Sequence, residues 1–294
     1  LGFAEFACAS NQVALRLYPA SSFPQPAFLW SVEGGVSPHV GLPRKSWVCH
    51  RNPGRTRRWG EVLPEEDNRI PWGLRDTLLV LLGLLIAGYG AGLFIHFFGL
   101  GLPATYRYLL VGLAQAAAIL GGLHYFVRWK SGLGLAALGL QKEGAGQALA
   151  AGLPGGLGLF FLVMVVGTFI QAFFPNPTPQ PFADLVTQAR RPADLLIPLF
   201  LGSFLAPLTE ELYFRGFLFP ALKARYGFAA GLVGSSAIFG LLHLDLMRFL
   251  PLALGGMGLA YLYERTGNIL ASITAHATWN TIMIILLYYA LQWA

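Results

Sequence analysis

Charge is scarce in this chain. Only 12% of its 294 residues are Asp, Glu, Lys or Arg, about half of the roughly 25% that a soluble domain carries. That shortage excludes an ordinary soluble globular protein. Cysteine is scarcer: Cys8 and Cys49 stand alone, with neither zinc-ligand spacing nor a disulfide framework. No His-Glu-x-x-His pair occurs, so the helical metal site of the soluble zinc peptidases is absent. No long internal repeat is present.

Apolar sequence is what the chain has. Hydrophobic residues make up 55% of it, mean hydropathy is +0.57, and several runs approach the length of a bilayer span. The 36 glycines fit helices that approach closely in lipid. The formal charge of +6 would point to nucleic acid in a soluble protein. In a membrane protein it belongs to cytoplasmic loops, and no nucleic-acid partner is expected.

The pattern predicts an all-α polytopic membrane protein, a bundle of about seven transmembrane helices with the active site inside it. The helices are expected over 78–98, 108–127, 148–174, 194–223, 228–244, 249–263 and 269–291, the sixth being the short one. Pro154, Gly155 and Gly156 predict a kink in the third. A Pro-rich stretch from residue 175 to 181 opens a loop with an interfacial helix over 183–189. Three regions follow: an N-terminal extension over 1–70, helices one to three with their loop over 71–185, and a catalytic core over 186–294. The extension lacks helical or strand periodicity. It is expected to be a disordered cytoplasmic tail or upstream sequence that is not native. The sharper alternative is a lipid-binding arm built on Arg51, Arg55, Arg57 and Arg58. Loop charge predicts a cytoplasmic N-terminus, and the expected location is multi-pass in the bacterial plasma membrane.

The chemistry concentrates in the fourth helix, Leu-Ala-Pro-Leu-Thr-Glu-Glu-Leu-Tyr-Phe-Arg over 205–215. An ionisable group at membrane depth costs roughly 2.5–3.5 kcal/mol on insertion scales, so it implies a partner or a use. Glu211 and Arg215 share a helix face and can pair. Glu210 points about 100° away, with Phe214 as its i+4 neighbour, and needs a partner from another helix. Two candidates follow in later apolar runs: His243, four after Phe239, and His276, four before Asn280. Counted from the turn after Lys223, Glu210, His243 and Asn280 all reach depths of roughly 20 Å at 1.5 Å per residue, and His276 about 13 Å. Three unrelated helix-packing hydrogen bonds would be the bland account. It explains Asn280 better than it explains a Glu with no local counter-ion.

The ordered set Glu-Glu-x-x-x-Arg, Phe-x-x-x-His and His-x-x-x-Asn resembles the signature of the CPBP family (CAAX proteases and bacteriocin-processing enzymes), also called Abi. That family includes the type II CAAX prenyl endopeptidases. The resemblance covers roughly residues 190–290. It implies an intramembrane peptidase in which Glu210 is the general base, acting with His243 on a water. His276 and Asn280 would face the oxyanion, Glu211 and Arg215 would form a supporting ion pair, and Phe239 would pack beside the site. It also implies a membrane-held peptide or lipidated protein as substrate. A buried carboxylate beside an imidazole can deprotonate water, and amide and imidazole N–H groups can stabilise the oxyanion. The same residues leave a metalloprotease open, with zinc on Glu210, His243 and His276. Asn280 and Arg215 suit the metal-free alternative better. Two further classes stay in play: a non-catalytic bacteriocin-immunity or scaffold protein of the same family, and a proton-coupled transporter using Glu210 and His243 as a relay.

Overall fold

A computed structural model describes residues 70–98, 101–174 and 181–290. The N-terminal extension and its arginine cluster lie outside the described residues. So does the stretch from 175 to 180. Every regular element among the described residues is helical. Six helices are long and apolar enough to cross a membrane: α1 (Leu74–Phe97), α2 (Ala104–Lys130), α3 (Ala145–Phe173), α5 (Pro192–Tyr226), α7 (Leu246–Thr266) and α8 (Ile269–Ala290). Two shorter helices join them, α4 (Pro181–Thr187) and α6 (Phe228–Leu241). This is the expected multi-pass, all-helical membrane protein.

One expectation about length is corrected. The short helix is α6, not its successor. α6 spans 14 residues, or about 21 Å, less than the roughly 30 Å of a hydrocarbon core. Asp245 is the reason. Its carboxylate accepts from the backbone N–H groups of Met247 and Arg248 at 3.0 and 3.1 Å. This cap starts α7 three residues earlier than the apolar pattern suggests and ends α6 early. Between the caps Leu244 adopts a positive φ of 50°. α6 and α7 return the chain to one side, because Lys223 at the end of α5 bonds Glu264 near the end of α7 at 2.6 Å.

α5 is the central helix. Its Tyr213, Phe217 and Phe219 are sealed from the surface. The Tyr213 hydroxyl donates to the Thr77 carbonyl of α1 at 3.0 Å, and the indole of Trp72 donates to the Phe217 carbonyl at 3.0 Å. Two π-helical turns, Phe200–Leu205 and Phe214–Leu218, bracket the Glu-Glu pair. Each turn ends two residues before a proline, Pro207 or Pro220. Proline donates no N–H and crowds the carbonyl four residues back, and a widened turn relieves the crowding.

α3 packs along α8 through Gly152 and Gly156. A Cβ on Gly152 would stand 2.8 Å from the Ala271 carbonyl oxygen, and one on Gly156 would meet the Ala275 carbonyl. This four-residue spacing of small residues is the usual means of close contact in lipid. α3 runs as one helix through Pro154.

Candidate active site

Glu211 is fully buried and is the hub of the polar cluster. Its Oε1 accepts from Nη1 of Arg215 at 2.7 Å, the i,i+4 pair expected on α5. The same oxygen accepts from Nδ1 of His276 on α8 at 2.8 Å. Arg215 donates its Nη2 to the Gly256 carbonyl of α7 at 3.0 Å. Three helices are therefore tied by one carboxylate and one guanidinium, and each charge has a partner.

The bond to Glu211 fixes the His276 ring. A carboxylate only accepts, so Nδ1 carries a proton, and in the neutral ring Nε2 is left with a lone pair. That nitrogen lies 4.0 Å from Oε2 of Glu210. The side chain of Glu210 is 28% exposed, and the opening is a cavity of about 760 Å³. Glu210, His243, His276 and Asn280 all line it. The acid that lacked a local counter-ion thus finds its neighbour on α8.

His243 is not on the α6 face that its spacing suggested. α6 ends at Leu241, and His243 belongs to the turn that follows. Its Nδ1 nonetheless donates back to the Phe239 carbonyl at 2.9 Å, capping a carbonyl that the helix end leaves open. Phe239 joins the two histidines: its ring meets His243 edge-on at 5.0 Å and His276 at 5.8 Å. It also lies 4.8 Å beneath the Arg215 guanidinium.

Asn280 has a different neighbour from the one its spacing suggests. Its Nδ2 donates to the Gly202 carbonyl of α5 at 2.7 Å. The π turn explains why that oxygen is available. Ala206, which would bond Gly202 in a regular α-helix, bonds Leu201 instead. The next residue, Pro207, has no N–H to offer.

The proposed zinc set does not assemble. Among the described residues no three His, Cys, Asp or Glu side chains are grouped to hold a metal ion. Glu211 engages His276 Nδ1 and the Phe239 carbonyl engages His243 Nδ1, so only the Nε2 atom of each ring keeps a lone pair for the cavity.

Sequence reasoning missed Gly202, Gly256 and Trp279. Pro207 within an apolar helix was the one available signal for the first. Gly256 and Trp279 carried none, because an acceptor carbonyl or a wall residue acquires its role only from packing.

Taken together, this is an integral membrane protein of several spans with a polar cluster closed inside its bundle. Residues 192–282 match the family model described as type II CAAX prenyl endopeptidase Rce1-like, so this stretch of the chain is similar to that family. Over 103 residues the chain is 39% identical to "Putative membrane peptidase YdiL" of Bacillus subtilis (strain 168), covering 34% of this chain and 42% of that relative. The matched stretch is thus less than half of the relative's length. No solved structure matches the chain.

Proposed function

We propose that the protein is an intramembrane endopeptidase that hydrolyses a peptide bond of a membrane-associated, CAAX-like or lipidated substrate. The observation that carries this reading is the 4.0 Å gap between Glu210 Oε2 and His276 Nε2 on the cavity wall. Two acceptors facing each other need a proton donor between them. A water there gives one hydrogen to each and turns its lone pairs to the cavity. Glu210 takes a proton from that water as oxygen attacks the carbonyl carbon. It returns the proton to the departing amine nitrogen as the C–N bond breaks. His276, held at Nδ1 by Glu211, keeps the water in place. His243 presents its unprotonated Nε2 from the α6–α7 turn and assists the water's deprotonation. The Rce1-like match over 192–282 supports the same class. Loop charges support a cytoplasmic N-terminus.

The test is cleavage of lipidated peptides, CAAX-tailed ones included, in detergent micelles by purified wild type, Glu210→Gln and His243→Ala, with products read by mass spectrometry. Wild-type cleavage that both folded variants lose supports the proposal. Undiminished cleavage by folded Glu210→Gln overturns it.

A further inference from the structure

Of the donors expected to face an oxyanion, His276 is engaged elsewhere and Asn280 keeps one N–H of two. His276 donates at Nδ1 to Glu211, and its other nitrogen in the neutral ring has no hydrogen. Asn280 commits an N–H to the Gly202 carbonyl. A peptide carbonyl attacked in this cavity is therefore short of a second donor beside Asn280. Trp279 stands next to Asn280 in sequence and one helical turn after His276. Its ring lies 5.7 Å from the His276 ring at 32° and lines the same cavity as Glu210. The side chain is held rigidly. Trp279 is 3% exposed, and Gly255 of α7 lets the ring approach so closely that a Cβ there would lie 2.7 Å from it.

A tryptophan this buried normally spends its N–H on an acceptor. Among the described residues the sealed, unpartnered side-chain atoms are Ser203 Oγ, Glu211 Oε2 and Ser236 Oγ. The Trp279 indole nitrogen is not one of them, and no described acceptor bonds it. It is therefore open, and the cavity is the open space that its ring lines.

We propose that the Trp279 indole N–H is a catalytic hydrogen-bond donor. It binds the scissile carbonyl oxygen and stabilises the negative charge that forms there when water attacks. An indole donates and never accepts, and it carries no charge to desolvate. A donor held before reaction by packing against His276 and Gly255 costs no reorganisation when the oxyanion appears.

This inference rests on the peptidase reading, and the experiment separates the two. Trp279→Phe keeps an aromatic ring and removes the N–H. A second variant places β-(3-benzothienyl)alanine at 279, an indole isostere with sulfur in place of N–H, so folding cannot confuse the result. Cleavage of lipidated peptides is expected to fall by about 10²-fold in kcat with KM little changed, as for loss of one oxyanion donor. Binding of a lipidated peptide phosphinate, a mimic of the tetrahedral intermediate, should weaken by a similar factor in both variants, including in a Glu210→Gln background. Wild-type kcat and phosphinate affinity in the isostere overturn the role of Trp279 and leave the peptidase reading standing. A wild-type protein that neither cleaves the peptides nor binds the phosphinate overturns both.

Discussion

The Nε2 of His276 faces Oε2 of Glu210 across 4.0 Å, while the other face of the same ring is bonded at 2.8 Å to Glu211. Neighbouring glutamates on α5 thus treat one imidazole differently. Glu211 is sealed and holds the ring. Glu210 opens to the cavity and leaves room for a water. The helix makes the division, because successive side chains diverge by about 100°.

Substitutions at the two positions should separate activity from stability. Glu210→Gln is expected to lower cleavage by about 10²–10⁴-fold, the usual contribution of a general base. Its thermal unfolding in detergent should stay within a few degrees of wild type. Peptide turnover and a melting curve on the same preparation check this.

Glu211→Gln should do the reverse in kind. It leaves Arg215 and His276 facing a weaker acceptor at a site with no exposure. Removing one partner of a buried pair costs about 3–5 kcal/mol, so the melting temperature should drop sharply. An unchanged melting temperature would show that the cluster tolerates an uncompensated guanidinium.

Gly256→Ala tests the far end of the cluster. The new Cβ would lie 3.2 Å from Arg215 Nη2 and 3.3 Å from Phe239 Cδ1, tighter than these fixed groups accept. Overpacking costs about 1–3 kcal/mol. The displaced Arg215 should also cost activity through Glu211 and His276. Stability and kcat measured together check both effects.

Asn280→Ala should leave the Gly202 carbonyl without a donor, at about 1–3 kcal/mol for a buried unsatisfied group. Pro207→Ala restores an N–H within reach of that turn. The double variant should therefore lose less stability than the sum of the single ones, and a double-mutant cycle measures the difference.

Metal removal is expected to leave cleavage unchanged. No group of three His, Cys, Asp or Glu side chains that could hold a metal forms among the described residues. Activity before and after chelation, with metal content measured on the same sample, checks it. Loss on chelation and recovery with zinc would restore Glu210, His243 and His276 as ligands.

Hydrophobicity and spacing alone determined that the chain is a bundle of membrane helices. They also determined that Glu210, Glu211, Arg215, His243, His276 and Asn280 belong to it at comparable depth, because the cost of charge in lipid and the 3.6-residue turn are local properties. Only the tertiary structure decided how these residues divide among themselves. It brought His276 rather than solvent to Glu211, put His243 in a turn through the Asp245 cap, and turned Asn280 to a carbonyl freed ahead of Pro207. Those outcomes depend on which helices touch and at what rotation. Packing between distant segments sets that, and no spacing within one segment encodes it.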